Sequence, residues 1–312
     1  MNPVKVAVIG VGYLGSIHAR VYSQLEGAQL VGVCDVDEAK ARAIAKKFKT
    51  RHFTDYRELV GKIDAASIVV PTSLHHEISR FFLEKGVNLL IEKPITNTVE
   101  EADELLSLAK KNNLILQVGH IERFNSALQA VAQVIKRPIF IECHRLGPFK
   151  KRSTDIGVVL DLMIHDIDII LGLVKDDIEN VEAVGAPVLS EQEDIANVRL
   201  KFKNGAICNL TASRITNKTL RKIRIFQADA YISLDYFKPS CYIYRKKSGR
   251  ITQQRVKITK EEPLKLELES FIKCVVTKER PLVSGLEGRE ALAIALDIQD
   301  KIRDFAQERL SN

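Results

Sequence analysis

The segment GVGYLG, residues 10–15, constrains the fold more than any other feature, because this G-x-G-x-x-G pattern follows the apolar run VKVAVI and opens a helical pattern. Its three glycines permit a tight turn, a close approach of phosphate to the backbone and close packing of helix on strand. The next apolar run ends at Asp35, 20 residues after Gly15, the spacing at which a carboxylate meets ribose hydroxyls in dinucleotide-binding folds. The pattern therefore predicts a parallel sheet with a dinucleotide site at the N-terminus of a helix.

Asp35 also bears on which dinucleotide binds. A carboxylate at this position repels a 2′-phosphate, and neither Val36 nor Asp37 supplies an arginine that would accept one. NAD is therefore predicted rather than NADP. FAD is less favoured because the second half of the chain offers no flavin site, and a glycine turn that binds no ligand is the remaining alternative.

The first 120 residues alternate strand and helix patterns, which favours a doubly wound parallel sheet. Asp37 is placed to cap one of the helices, and the run from Thr98 to Glu101 has the pattern of a capping box. We therefore predict a Rossmann domain over residues 1–120.

From about residue 138 the pattern changes to β-rich segments separated by turns, and Asn204-Gly205 is typical of a hairpin. Helices are predicted around 263–277 and 287–309. The predicted fold class is an α/β Rossmann domain plus an α+β domain, residues 121–312, with a large, mostly antiparallel open sheet. This domain is expected to bind substrate and to form oligomers, and its C-terminal helix is expected to pack back on the first domain.

Composition excludes several classes of function. Among 312 residues, 46% are hydrophobic, yet no run reaches the roughly 20 apolar residues of a membrane span. A cytoplasmic protein without a membrane partner is predicted. The five cysteines are far apart, which favours buried, reduced thiols over zinc. The net charge of +7 comes from scattered clusters, so no nucleic-acid partner is predicted.

The run DLMIHDID, residues 161–168, places Asp161, His165 and Asp168 at i, i+4 and i+7 of an otherwise apolar helix. Such a helix is expected to be buried, and buried polar groups are costly unless they are paired or functional. Three interpretations stay open: a catalytic stripe, a satisfied network that fixes packing, and a set of metal ligands. No metal is predicted, because hydride transfer needs none when a lysine supplies the positive charge.

These motifs together resemble the glucose-fructose oxidoreductase and inositol dehydrogenase (Gfo/Idh/MocA) family over essentially the whole chain. The resemblance rests on the glycine fingerprint, on Glu92-Lys93-Pro94, on Arg123-Phe124-Asn125 and on the pattern G-x-x-x-D-x-x-x-H-x-x-D from Gly157 to Asp168. The wording VGHIERFN, residues 118–125, followed by KKRSTDIGVVLDLMIHDID, is most similar to family members that act on sugar nucleotides.

The resemblance implies NAD-dependent oxidation of the C3 hydroxyl of UDP-N-acetylglucosamine, feeding a 2,3-diamino sugar pathway of lipid A or a surface polysaccharide. Two alternatives are kept: a related dehydrogenase of a UDP-hexuronic acid or an inositol-like polyol, and a non-catalytic NAD-binding sensor.

Alcohol oxidation needs a base for the hydroxyl proton and a cation beside the developing alkoxide. His165 is the predicted base, because imidazole titrates near neutrality, and Lys93 is the predicted cation. The reverse assignment stays open, with Lys93 as the base and His165 as an orienting donor. Asp161 is expected to bind a substrate hydroxyl or to fix the imidazole, and Asp168 to bond the other ring nitrogen or to cap backbone.

The remaining predicted contacts lie at strand ends and loops. Glu92 is either a cofactor contact or the partner of a nearby donor. The full predicted cofactor set is Gly10, Gly12, Tyr13, Leu14, Gly15, Asp35, Pro71, Thr72, His75, Glu92 and Lys93. For His75 a plain strand-helix turn is the alternative. The predicted contacts to a UDP-sugar are Arg123, Asn125, Lys150, Lys151, Arg152, Asp161 and His165, with Arg214 as a further candidate for the diphosphate. The alternative interpretation of Lys150 to Arg152 is a solvated loop without a ligand.

A homodimer or homotetramer through the second-domain sheet is expected.

Overall fold

A computed structural model describes residues 2–149 and 156–311, with side chains described as far as residue 307. The chain forms two compact units: Met1–Phe124 with Glu261–Glu290, and Asn125–Lys260 with Ala291–Asn312. The prediction placed everything after residue 120 in the second domain, whereas residues 261–290 group with the first unit. This return of the chain could not be predicted from local patterns.

The first unit contains a six-stranded parallel sheet among its described residues, in the order β3-β2-β1-β4-β5-β6. Its strands are β1 (Val4–Ile9), β2 (Ala28–Cys34), β3 (Arg51–Phe53), β4 (Ala65–Ile68), β5 (Asn88–Glu92) and β6 (Leu116–Gly119). Its helices include α1 (Tyr13–Tyr22), α2 (Glu38–Phe48), α3 (His75–Glu84), α4 (Val99–Lys111) and α7 (Pro263–Thr277). All strands end at the same edge, and the order reverses between β1 and β4. This edge is where such folds bind ligands.

Local signals positioned the helices of this unit. The Asp37 side chain accepts a hydrogen bond from Lys40 N–H, 3.1 Å long, and so caps α2. Thr98 and Glu101 form the predicted capping box at the start of α4. Both predictions are confirmed. They could be made from the sequence because each cap depends on residues only three positions apart.

The second unit contains an eight-stranded open sheet among its described residues, in the order β14-β13-β12-β11-β7-β10-β9-β8. Its strands are β7 (Phe140–Leu146), β8 (Ile178–Ala186), β9 (Ile195–Phe202), β10 (Ile207–Ser213), β11 (Leu220–Gln227), β12 (Ala230–Asp235), β13 (Ser240–Lys247) and β14 (Arg250–Arg255). Every strand pair is antiparallel except β7 with β10. The predicted fold class is confirmed. Helices α5 (Ser126–Gln129) and α6 (Ile164–Val174) belong to this unit, and α8 spans Gly285–Ser311.

The core of the second unit lies between one face of the sheet and helix α6, where Ile164 and Ile167 are fully buried. Gly205, at φ +87°, turns β9 into β10 as the Asn204-Gly205 signal predicts. Two strands were not predicted. The inward face of β7 carries the charged Arg145, and β14 is exposed at all six positions, so neither shows a clean apolar alternation.

No helix in the described part of the chain combines the length and the apolar content needed to cross a bilayer. The five cysteines are free and buried, as predicted.

Candidate active site

The glycine turn joins β1 to α1 and is shaped to accept a phosphate. Gly10 has φ +86°, and a Cβ there would stand 2.5 Å from the Val69 carbonyl oxygen, whereas a Cβ on Gly12 would meet nothing within 4 Å. No side chain of the described residues caps α1 at Gly12, and Tyr13 is 75% exposed. The start of α1 is therefore uncapped by these side chains and open at Gly12 and Tyr13, which fits the pyrophosphate of a dinucleotide.

The Asp35 carboxylate lies beside this turn. Its Oδ2 accepts a 2.8 Å hydrogen bond from Val11 N–H and its Oδ1 a 3.0 Å bond from Asp37 N–H. The end of β2 is thereby tied to the glycine turn. The contact of Asp35 with the ribose stays a prediction.

Glu92 and Lys93 follow β5 at the same edge of the sheet. Glu92 Oε1 lies 3.1 Å from His18 Nε2, and Glu92 Oε2 accepts a 3.3 Å hydrogen bond from Lys93 N–H. A Cβ on Gly119 would lie 2.8 Å from this carboxylate, so β6 needs a glycine where it passes Glu92. Glu92 was interpreted either as a cofactor contact or as the partner of a nearby donor. In the structure its carboxylate has a protein partner, His18. Lys93 itself is half-buried.

Pro71 and Thr72 follow β4, where they are exposed and half-exposed respectively. His75 begins α3 and is only 1% exposed. Its Nδ1 lies 2.9 Å from the Pro94 carbonyl oxygen and its Nε2 2.9 Å from that of Val70. Burial lowers the pKa of His75, against the opposing effect of these carbonyl groups. The buried imidazole thus contacts both the loop that follows β4, at Val70, and the loop that follows β5, at Pro94.

His120 follows β6 directly and was not among the predicted site residues. Burial, reinforced by the positive charges of Lys93 and Arg123, lowers the pKa of His120 to about 3. The side chain is therefore neutral at physiological pH, and Lys93 and Arg123 lie within electrostatic reach of it. The sequence signal that could have identified His120 is its position immediately after a parallel strand.

The second unit carries the predicted polar stripe. Asp161 lies in a π-helical turn, Val159–Met163, that leads into α6, and His165 is the second residue of α6. Both are half-buried, while Asp168 is 1% exposed. The π-turn was not predicted, because the periodicity argument assumed a regular α-helix. Such turns occur frequently at functional sites.

Two buried contacts that were not predicted hold this helical segment. Arg145 on β7 binds Asp166 on α6 through two hydrogen bonds of 2.9 and 2.8 Å, with both side chains nearly inaccessible. The Glu193 carboxylate occupies the space where a Gly157 side chain would stand and accepts a 3.3 Å hydrogen bond from Val159 N–H. Arg145 and Glu193 thus fix α6 and its preceding turn.

The Arg214 side chain is hydrogen-bonded to other groups of the protein. Its Nε donates a 2.6 Å hydrogen bond to Asp194, and one terminal nitrogen donates a 2.8 Å bond to the Ile156 carbonyl oxygen. With 6% exposure, its guanidinium serves to hold the segment before the π-turn. The suggested diphosphate contact is therefore not supported.

The other predicted substrate residues have different settings. Arg123 is half-buried in the 3₁₀ turn after β6, and Asn125 Oδ1 accepts a 3.0 Å hydrogen bond from Ala127 N–H at the start of α5. Lys150, Lys151 and Arg152 lie outside the described residues. Within the described ranges, no group of three His, Cys, Asp or Glu side chains could hold a metal ion.

Comparison with protein families agrees with this arrangement. Residues 4–120 match the oxidoreductase family with an NAD-binding Rossmann fold, and residues 135–233 match the GFO/IDH/MocA C-terminal domain. The chain belongs to the Gfo/Idh/MocA family of oxidoreductases. The predicted family, the enzyme class and the NAD cofactor are confirmed.

Individual relatives resemble the chain along nearly its full length. It is 36% identical over 314 residues to the UDP-N-acetylglucosamine 3-dehydrogenase of Acidithiobacillus ferrooxidans, covering 98% of this chain and 100% of the relative. A solved structure of that enzyme matches with a TM-score of 0.94, covering 98% and 99%. The myo-inositol 2-dehydrogenase of Thermotoga maritima is 25% identical over 329 residues, covering 98% of each chain.

Proposed function

We propose that the protein is an NAD-dependent dehydrogenase that oxidises the C3 hydroxyl of UDP-N-acetylglucosamine to the 3-keto sugar nucleotide. The observation that carries the proposal is the 36% identity to an enzyme of that name, over nearly the whole of both chains. The glycine turn, Asp35 and Lys93 at one sheet edge support it, since they supply a cofactor site and a cation at the same place. A 2,3-diamino sugar pathway would consume the product.

When bound, NAD supplies the acceptor of the hydride from C3. His165 takes the hydroxyl proton, and the Lys93 ammonium stabilises the developing alkoxide. Asp161, one turn before His165, binds a sugar hydroxyl or orients the imidazole. In the alternative assignment Lys93 takes the proton and His165 donates a hydrogen bond to the substrate oxygen.

Contacts to the UDP moiety are proposed from the cationic side chains. Arg123 is half-buried beside His120, and its planar guanidinium suits a diphosphate. Lys150, Lys151 and Arg152 are proposed as further diphosphate contacts, and Asn125 as a polar contact. In this scheme residues 1–120 bind NAD and the later part of the chain binds the sugar nucleotide in the cytoplasm.

The test is NADH formation, followed at 340 nm, with NAD and a panel of substrates: UDP-N-acetylglucosamine, a UDP-hexuronic acid and myo-inositol. We expect the highest kcat/KM with UDP-N-acetylglucosamine, and far weaker turnover with NADP because of Asp35. Preference for inositol would replace the substrate assignment with the polyol alternative. Tight NAD binding without turnover of any substrate would favour the sensor alternative.

We also propose that the second-unit sheet pairs with another copy of the chain. Four aromatic rings follow one another across its strands on the face away from the α6 core: Phe140, Phe226, Tyr231 and Tyr244. The Phe226 and Tyr231 centroids are 4.7 Å apart and those of Tyr231 and Tyr244 are 5.1 Å apart. Such a surface suits a self-complementary interface. Light scattering should give a dimer or tetramer, and Tyr231→Asp should shift it to smaller species; a monomeric wild type would refute the proposal.

A further inference from the structure

The segment that carries Lys93 lies between two buried histidines. His18, on the inner face of α1, is fully buried, and His75, at the start of α3, is 1% exposed. Each ring contacts a residue adjacent to Lys93 in the chain: His18 contacts Glu92 and His75 contacts Pro94. Neither contact involves the Lys93 side chain.

On the first side, the contact runs through a carboxylate. His18 Nε2 lies 3.1 Å from Glu92 Oε1, and Glu92 Oε2 accepts the Lys93 backbone N–H at 3.3 Å. Glu92 is 8% exposed and packed over Gly119, so its carboxylate has little freedom to turn. Because α1 begins at the glycine turn, His18 links the Lys93 backbone to the helix that forms the phosphate site.

On the other side, the contact runs through backbone carbonyls. His75 lies 2.9 Å from both the Pro94 and the Val70 carbonyl oxygens. A neutral imidazole has a single N–H and therefore donates to one of these carbonyls at a time. Val70 also neighbours the glycine turn, since a Cβ on Gly10 would stand 2.9 Å from its Cγ1. His75 thus links the segment after Lys93 to the end of β4.

We propose that His18 and His75 are positioning residues for Lys93, fixing its backbone from both sides relative to the cofactor turn. The inference rests on the proposed role of Lys93 at the reacting hydroxyl. A displacement of about 1 Å of a catalytic group can lower the rate about 10²-fold. Loss of either imidazole is therefore expected to lower kcat while leaving the NAD and substrate sites occupied.

The test compares His75→Ala, His75→Asn and His75→Gln in the full-length enzyme with NAD and UDP-N-acetylglucosamine. We expect His75→Ala to lower kcat by about 10- to 100-fold with little change in either KM. The Asn amide reaches the position of Nδ1 and the Gln amide that of Nε2, so at least one of them should restore most of kcat. His76→Ala is the matched control, because the next residue on the same helix pairs with Glu104 near the surface and should keep wild-type kcat.

His18→Ala leaves a buried carboxylate without its partner and can prevent folding, so His18→Gln accompanies it. The Gln amide retains a donor for Glu92, and this variant should keep a kcat well above that of His18→Ala wherever both fold, as judged by Tm. A kcat in His75→Ala equal to that of His76→Ala would overturn the proposal, and so would a loss that neither Asn nor Gln reverses.

A second measurement separates this inference from the proposed function. The rate at which an acylating reagent labels the half-buried Lys93, followed by mass spectrometry, requires no sugar substrate. We expect His75→Ala to label several-fold faster at Lys93 than His76→Ala. If the wild type turned over no sugar nucleotide, the proposed function would fail, and this labelling ratio would still decide the positioning role. Equal labelling rates would reject it.

Discussion

The two units position their candidate groups in different ways. In the first unit, Gly10, Asp35 and Lys93 stand at the ends of three separate strands, and the parallel sheet brings those ends to one edge. In the second unit, Asp161 and His165 lie on one continuous helical segment. The first arrangement depends on the order of the strands in the sheet, and the second depends on the contacts that hold the helical segment in place.

The supporting contacts differ accordingly. Around Lys93 they are histidines bonded to a carboxylate and to carbonyl groups. Around the stripe of the second unit they are buried ion pairs, Arg145 with Asp166 and Arg214 with Asp194. Breaking a buried ion pair leaves an uncompensated charge, which strongly destabilises the fold. Substitutions of His75 should therefore affect mainly turnover, and substitutions at the buried ion pairs should affect mainly stability. His18→Ala should affect both, because it leaves the buried Glu92 carboxylate without its partner.

The largest expected effect is on turnover at the two proposed catalytic residues. Lys93→Met removes the cation and His165→Ala removes the imidazole, so each should lower kcat by about 10²- to 10⁴-fold. Steady-state assays with NAD and UDP-N-acetylglucosamine measure this loss, and Tm should stay near that of the wild type. Lys111→Met, an exposed lysine at the end of α4, is the control. Normal turnover in both active-site variants would contradict the assigned roles.

The next effect is on stability at Asp194, which is fully buried and bonded to Arg214 and to the N–H groups of residues 188–190. Asp194→Ala should lower the free energy of unfolding by about 3–5 kcal/mol, because it breaks a buried ion pair with Arg214 and removes the acceptor of three backbone N–H groups. Urea unfolding measures the change. Asp177→Ala, which removes an exposed pair with Lys203, should cost about 0–1 kcal/mol.

Part of that stabilisation should disappear in acid. Burial by itself raises the pKa of Asp194, but the N–H groups of Leu189 and Val188, together with Arg214 and Ser190, hold it well below its usual value. The stabilising contribution is therefore present above about pH 4, where an unfolded aspartate is ionised, and is lost as the pH falls below that value. The difference in free energy of unfolding between the wild type and Asp194→Asn should decrease as the pH is lowered from neutral to about pH 3. A difference that does not depend on pH would show that the charge is not involved.

A smaller effect is expected at Gly157. A methyl group there would overlap the Glu193 carboxylate, so Gly157→Ala should cost about 1–3 kcal/mol through overpacking. In a Glu193→Ala background the cost should shrink, because the obstructing carboxylate is gone, and a double-mutant cycle measures this coupling. Gly147→Ala, where a Cβ would meet nothing within 4 Å, should change stability by less than about 0.5 kcal/mol.

The sequence predicted best what short stretches encode. The glycine turn, Asp35, the Asp37 cap and the capping box at Thr98 each depend on a motif with fixed local spacing, and the structure contains all of them. The polar stripe was also identified from spacing, although its first member lies in a π-turn. That turn depends on packing around residues 157–163, which periodicity does not encode.

Partners that meet only through the fold were not predictable. His18 and Glu92 are 74 residues apart, and Arg145 and Asp166 are 21 apart. Each pair requires knowledge of which strands and helices are neighbours. Arg214 illustrates the same limit, because a lone arginine suggested an anion site, whereas the fold supplies it with Asp194 as a partner.

The smallest expected effect tests whether burial is what separates the buried ion pairs from other charge contacts. Arg289 on α8 holds Asp103 on α4 with two hydrogen bonds of 2.9 and 3.0 Å, and the hydrogen bond from Arg289 lowers the pKa of Asp103. Their side chains are 32% and 53% exposed, however, so water solvates either charge once its partner is removed. Arg289→Ala should therefore cost less than about 1 kcal/mol, and less still at high salt. If urea unfolding gave a loss equal to that of Asp194→Ala, hydrogen-bond geometry rather than burial would determine the strength of these pairs, and the contrast between the two units would have to be restated in those terms.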